Sequence, residues 1–476
     1  MGTNSGGDLL LRLDRDTSRP LRAQLEQELR GAIRDGRLAA GSRLPPTRSL
    51  AADLGVSRRL VVDSYAQLLA EGYLTSRAGA GTFVAAAAIR PAPPPVASST
   101  DVLRYDFFPG SPDLSGFPRG SWLRAQRTVL REAPDSALGY PDPRGAPQLR
   151  RALAGHLRRV RGVVAGEATV LICAGAAQAV ALLAGVLGQD AEVAVEDPGL
   201  PLHREILTAA GLALSALPVD EEGAHVEALE HLYPAAALVT PAHQSPTGTA
   251  LSAGRRGGLL AWARSREVLV IEDDYDAEFR YDRQPLGALQ GLAPDRVAYM
   301  GTVSKTLAPA LRLGWLIPPE PLVEAVVEAK RLADAGSPTL EQLALAHLIE
   351  SGDYDRHLRQ ARRRYRARRD ALVAAVARHL PGARVTGVAA GLHAIVRLPR
   401  AVDGLALMQA AASRSVGVYP LGYGYLRPRP LDDGLVLGYA NLAEPAIEEG
   451  VRLLALALED LGCRPPPAND GGAISR

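Results

Sequence analysis

Residues 85–103 read AAAAIRPAPPPVASSTDVL, and this stretch limits the fold more than any other part of the chain. Pro91, Pro93, Pro94 and Pro95 lack the amide hydrogen that a helix interior needs, and the segment carries almost no charge. An extended, semi-stiff linker is expected here. A chain of 476 residues also exceeds one ordinary domain. The expected division is a small N-terminal unit over 15–84, the linker over 85–103, a large unit over 104–464 and a disordered tail over 465–476.

Composition excludes little beyond that. The chain is 47% hydrophobic and 22% charged, near ordinary globular values, so a large core can form. Aromatic residues make up only 5%, which leaves leucine, valine and alanine to fill it. Two cysteines, Cys173 and Cys463, provide neither a disulfide framework nor a metal cluster. The opening MGTNSGGDLLLRLDRD has no basic-then-apolar leader, and no apolar run reaches the ~18 residues of a membrane span. The expectation is a cytoplasmic protein with no membrane partner and no bound metal.

In the small unit, Leu21, Leu25, Leu29 and Ile33 form an i, i+4 stripe that predicts an amphipathic helix ended by Gly36. Thr47 is expected to cap a short helix through Leu54, Gly55 to turn the chain, and Ser57 to cap the next helix. Two short helices around a glycine turn make a helix-turn-helix pattern. EGYLTSRAGAGTFVA then reads as two strands around a glycine-rich tip. From Arg15 to Val84 there are 11 arginines against 7 acidic residues, although net charge over the chain is only +2. Arg43, Arg48, Arg58, Arg59 and Arg77 fall where such a motif meets DNA bases and phosphates.

The large unit alternates apolar strand-like runs with helical patterns. ATVLICAG, AEVAVEDP, AALVTPAH, EVLVIEDD and RVAYMGTVS are the strand candidates, with helices over 176–188 and 252–265 between some of them. Such alternation predicts a parallel α/β sheet with ligands at the carboxyl ends of its strands. Lys305 stands at such an end. Of 54 basic residues only Lys305 and Lys330 are lysine. Asp273 ends a neighbouring strand, and CAGAAQAV turns into a helix whose amides can cradle an anion. A lysine, a carboxylate and an anion cradle at one sheet edge suit pyridoxal 5'-phosphate: Lys305 for the Schiff base, Asp273 for the ring nitrogen and the helix start for the phosphate. Arginine cannot supply the primary amine.

Two resemblances sharpen these readings. LPPTRSLAADLGVSRRLVVDSYAQLLAEGYLTSRAGAGTFV resembles the winged helix of the GntR family. That likeness implies DNA contacts from Arg48, Ser57, Arg58 and Arg59, with the wing (Gly79, Gly81, Thr82) near the minor groove or phosphates. YPDPRGAPQLRRALAGHL, CAGAAQAV, EDPG, HQSPTG, EDDYDAEF and SKTLAPALRLGW occur in the order seen in fold-type I aminotransferases. Together the two units resemble the MocR/GabR regulators. The resemblance implies an α/β architecture: a winged helix-turn-helix, then a large domain with a mostly parallel sheet and a smaller C-terminal α+β lobe. It implies Tyr275 at the ring 3-oxygen and Gly175, Ala176, Ala177, Thr302, Ser304 and Arg312 around the phosphate. It also implies that Tyr140 reaches the phosphate of a partner subunit, hence a homodimer.

Two departures bear on function. Ser245 stands where aminotransferases carry an asparagine beside the ring oxygen. Val436, in GLVLGYANL, stands where they carry the arginine that clamps a substrate carboxylate. Arg427 and Arg429 lie nearby in sequence, in a stretch that reads as a solvated loop, and Leu200 replaces a frequent aromatic. The expected function is a transcriptional regulator, binding double-stranded operator DNA, whose large domain senses pyridoxal phosphate or a small amine or amino acid. The alternative is a working aminotransferase with an accessory DNA-binding domain.

Overall fold

The computed structural model describes residues 11, 13–85, 103–281, 286–387 and 389–463. The chain divides into two compact units, residues 1–100 and 101–476. Most of the expected linker, 86–102, and the expected tail, 465–476, lie outside the described residues.

In the small unit, α1 (Leu21–Arg34) buries Leu25, Leu29 and Ile33, the stripe read from the sequence. Helix α2 spans Thr47–Asp53 and α3 spans Arg58–Ala70. Strands β1 (Leu74–Arg77) and β2 (Gly81–Val84) pair antiparallel, Leu74 opposite Val84. Leu50, Val61, Leu68, Leu74 and Val84 close one core against α1. The cap expected of Thr47 is not formed: Thr47 is the first helical residue, Pro46 holds the N-cap position, and no side chain bonds there. Ser57 does cap α3, its hydroxyl accepting from the Leu60 amide at 3.2 Å.

The large unit opens with α4 (Arg119–Glu132) and α5 (Pro147–Arg161). Its central sheet and flanking helices follow as β3 (Leu171–Cys173), α6 (Ala176–Leu187), β4 (Glu192–Asp197), α7 (Pro201–Ala209), β5 (Ala213–Asp220), β6 (Gly223–Ala224), β7 (Ala236–Val239), α8 (Ala253–Arg266), β8 (Leu269–Asp274), β9 (Val297–Thr302) and β10 (Gly314–Ile317). The spatial order is β3-β10-β9-β8-β7-β4-β5-β6. Strands β9, β8, β7, β4 and β5 run parallel in that order. Strand β10 runs antiparallel to both β9 and β3, so β3 points the same way as the parallel set. That geometry brings the carboxyl ends of β3, β4, β7, β8 and β9 to one edge.

The central strands are buried on both faces, which is why LVIEDD and VAYMGT read as near-continuous buried runs. After α9 (Val323–Asp334), α10 (Thr339–Glu350) and the 27-residue α11 (Asp353–His379), the chain forms a second antiparallel sheet. It contains β11 (Arg384–Thr386), β12 (His393–Asp403), β13 (Tyr419–Pro420) and β14 (Leu431–Gly438), in the order β11-β12-β14-β13. Helices α12 (Gly404–Ala412) and α13 (Glu444–Asp460) complete this α+β lobe. Among the described residues no helix is long and apolar enough to cross a membrane, and no acidic, histidine or cysteine group could hold a metal.

Candidate functional site

The small unit carries one candidate surface. Arg58 and Arg59 start α3 exposed, and Arg48 stands exposed in the first turn of α2. Arg59 is 91% exposed and only 3.9 Å from Asp63. Across the turn, Arg43 makes a bridge with Phe83 and lies against Gly81, while the Arg77 guanidinium sits 5.0 Å over the Phe83 ring. Gly79 and Gly81 take φ of +70° and +107°, so the wing tip needs a residue without Cβ. Helix start, Arg43 and wing therefore present cations on exposed positions of one small domain.

In the large unit, a cavity of about 700 Å³ opens over the carboxyl ends of the parallel strands. Ala176, Ala177, Ser245, Asp273, Tyr275, Thr302, Ser304, Lys305 and Arg312 all line it. Strand alternation explains the choice of carboxylate on β8. Asp273 faces the cavity. Its neighbours Glu272 and Asp274 turn to the other face, where Glu272 accepts from the Leu289 and Gln290 amides and Asp274 pairs with Arg161 at 2.7 Å. Asp273 is 3% exposed, and its Oδ1 has no hydrogen-bond partner. Burial, then the charges of Asp274 and Asp276, push its carboxyl up to about 8. Burial pulls the Lys305 amine below its ordinary value, opposed by Asp276 and Asp273.

Next to the cavity-lining Ala176 and Ala177, Gly175 is the residue before α6, with φ of +93°. The guanidinium of Arg312 lies over it, 3.6 Å from where a Cβ would stand, and bonds the Ala174 carbonyl. A Cβ on Gly314 would fall 2.7 Å from the Gly175 Cα. The close approach leaves no room for a Cβ at Gly314, and the positive φ favours glycine at 175. Ser304 N–H donates to Thr302 Oγ1 at 3.0 Å, which fixes two hydroxyls beside Lys305. Tyr140 is not part of this set within one chain: it is 99% exposed.

Three histidines escape sequence reasoning. His203, in the first turns of α7, places Nδ1 3.8 Å from Asp273 Oδ2. His243 Nδ1 sits 2.9 Å from Asp276 and 3.1 Å from the Tyr275 hydroxyl. His393 lines the cavity with its ring centroid 5.3 Å from that of His243. Burial lowers His203 and His393 to about 4, so both are neutral at pH 7. His243 belongs to HQSPTG and His203 follows EDPG closely, but nothing local tells which strand end each one faces.

The wall above Lys305 is apolar. Val436 and Leu421 line it, buried, and Leu200, Leu202 and Phe108 form part of its lining at 40, 49 and 49% exposure. Arg427 and Arg429 do not line the cavity, and the Arg429 guanidinium stacks 3.7 Å over Tyr425. The carboxylate clamp missing from position 436 is not replaced from that loop.

A winged helix joined to an aminotransferase-like sheet with a lysine at its switch edge defines a class of two-domain regulator. Residues 21–84 match the gntR family of bacterial regulatory proteins, and residues 112–429 match aminotransferase class I and II. The chain is 35% identical to the "Probable rhizopine catabolism regulatory protein MocR" of Rhizobium meliloti over 96% of this chain and 98% of that one. It is 33% identical to the HTH-type pyridoxine biosynthesis transcriptional regulator PdxR of Corynebacterium glutamicum, over 92% and 96%. Among solved structures, the kynurenine aminotransferase of Pyrococcus horikoshii superposes with a TM-score of 0.71 at 26% identity, covering 76% of this chain and 92% of that one. The α-aminoadipate aminotransferase of Thermus thermophilus, complexed with N-(5'-phosphopyridoxyl)-L-leucine, gives 0.70 at 28%, covering 76% and 93%. The chain belongs to the MocR-type family of GntR transcriptional regulators with an aminotransferase class I and II domain.

Proposed function

We propose that the large unit binds pyridoxal 5'-phosphate and that its occupancy sets the affinity of the winged helix for operator DNA. The observation that carries this reading is the unpartnered, buried Asp273 Oδ1 in the cavity that Lys305 also lines. A buried carboxylate oxygen without a donor is costly, and a protonated ring nitrogen is the donor that would relieve it. Lys305 supplies the primary amine for the cofactor's aldehyde. Tyr275, held by His243, would meet the ring oxygen together with Ser245. The first amides of α6, with Thr302, Ser304 and Arg312, take the phosphate. The cofactor, when bound, supplies an aldehyde that captures amines and an electron-accepting ring.

The apolar wall at Val436 supports a sensor over an enzyme. A pocket without a free guanidinium gives amino-acid carboxylates no bidentate partner. The cofactor is then the effector itself, acting by preferring one of two conformations that differ in DNA affinity. The test is titration of the apo-protein with pyridoxal phosphate, following the visible absorption band and operator binding together. Wild type should gain the band and change DNA affinity, Lys305→Ala should do neither, and micromolar γ-aminobutyrate should alter neither signal. A band with unchanged DNA affinity sinks the sensing role and leaves a prosthetic group only.

A further inference from the structure

Helix α11 carries an arginine run of which the fold uses only part. From Arg356 to Arg369 its sequence is RHLRQARRRYRARR, eight arginines with no acidic residue. The inward arginines are employed. Arg362 donates to the Glu278 carbonyl, Arg364 and Arg368 reach Asp113 at 3.4 and 3.2 Å, and Arg368 also bonds the Ala440 carbonyl. The outward ones are not. Arg359, Arg363 and Arg366 are exposed, and among the described residues no carboxylate lies within 4 Å of any of them. With Arg356 they follow a 3, 4, 3 spacing, which keeps them on one face of the helix.

Exposed helical arginines elsewhere in this chain are in part paired, although Arg127, Arg131 and Arg158 are exposed with no carboxylate within 4 Å among the described residues. Arg22 pairs with Glu26, Arg331 with Glu328 and Arg452 with Glu449, each at 2.7–2.8 Å and one turn apart. A solvated helical face interleaves signs in that way because like charges at i, i+4 destabilise the helix. On α11 the face runs uninterrupted between Asp355 and Asp370. Arg356 shares Asp353 with Arg124, and Asp355 is taken by Arg159, so the first-turn acids are already neutralised. The fold tolerates a self-repelling stripe about 15 Å long by the helix rise. A partner that relieves it must be a polyanion, with negative charges spaced within that length.

We propose that the Arg359/Arg363/Arg366 face of α11 is a second DNA-contacting surface, on the large unit, that grips the phosphate backbone outside the winged-helix site. It rests on the DNA-binding role of the family and extends it to the aminotransferase-like domain. One strand of B-DNA presents a phosphate about every 3.4 Å along the axis, so the stripe spans several of them. Arginines that contact only phosphates add affinity without base preference. The surface therefore contributes to binding at any sequence.

The test uses the full chain and a mixed-sequence duplex of roughly 60 base pairs, with affinity measured across a salt series. The Arg359→Gln/Arg363→Gln/Arg366→Gln variant should bind more weakly and lose up to about 0.9 of the log-affinity against log-salt slope for each arginine removed. The corresponding triple lysine variant should keep the wild-type slope, because phosphate contact asks for charge and not for the guanidinium fork. Arg363→Gln alone, losing roughly one third of the effect, covers the case in which the triple variant fails to fold. A triple glutamine variant with wild-type elution volume and unchanged slope overturns the inference and makes the stripe a solvated face. A wild type that binds no duplex at all defeats the DNA-binding reading itself, which separates the two failures.

Discussion

Asp273 without its cofactor is a buried acid held in its neutral form. Its carboxyl is raised from an ordinary value near 4 to about 8 by burial and by Asp274 and Asp276. A folded-state pKa above the unfolded one means the folded chain takes up a proton between those values, so this group costs stability as pH rises through that window and nothing further above about 8. The apo-protein should therefore lose thermal stability from pH 4 to 8 more steeply than apo Asp273→Asn, which cannot ionise there. Glu196 and Glu272, both raised to about 7 by burial, act in the same direction and remain in the variant, so the difference between the two profiles isolates Asp273. Equal slopes would sink the assignment. At this scale the sequence is informative where the residue type is rare or its strand end obvious: one of two lysines, and an aspartate closing an apolar run. The histidines were not legible. His203, His243 and His393 come from α7, the loop after β7 and the start of β12, and only the strand order brings His203 and His393 to the cavity and His243 behind Tyr275.

Helix starts show how far local chemistry carries at the scale of elements. Ser57 and Thr47 look alike as caps in sequence, each a hydroxyl before a leucine-rich helix, yet only Ser57 bonds an amide. Pro46 takes the N-cap place at α2, and its fixed φ suits a helix entry, which moves Thr47 into the first turn. Ser57→Ala should therefore loosen the first turn of α3 by about 1 kcal/mol, while Thr47→Ala should cost a few tenths or less. Hydrogen exchange reads this directly: the Leu60 amide should exchange roughly fivefold faster in Ser57→Ala and unchanged in Thr47→Ala. An unchanged Leu60 amide in both would mean the hydroxyl bond contributes nothing. The parallel strands were legible because a strand buried on both faces is a continuous apolar run. Strand β10 was not, since GWLI is four residues long and follows Lys305 so closely that it reads as part of a loop. It is that antiparallel strand which separates β3 from β9 and sets the Gly175 turn opposite Lys305.

For the whole molecule, the informative residue is one that does nothing within its own chain. Tyr140 is 99% exposed, and Leu138 and Leu130, close to it in sequence, are 69 and 63% exposed. The cavity meanwhile is lined by Ala176, Ala177, Thr302, Ser304 and Arg312 but not by this residue. In the homodimer that the family resemblance implies, Tyr140 of each subunit would donate its hydroxyl to the phosphate held by the other. A hydrogen bond to a charged group contributes about 1.5–3 kcal/mol, so Tyr140→Phe should weaken pyridoxal phosphate binding by roughly tenfold or more with the dimer intact. The stronger check mixes subunits. A Tyr140→Phe chain paired with a Lys305→Ala chain has one competent lysine, and that lysine sits opposite an intact Tyr140 supplied by the Lys305→Ala subunit. The heterodimer should therefore bind one cofactor with wild-type affinity, whereas the Tyr140→Phe homodimer binds two weakly. Were Tyr140 to act within its own chain, the single competent site in the heterodimer would show the weakened affinity instead, and the shared-site arrangement would be wrong.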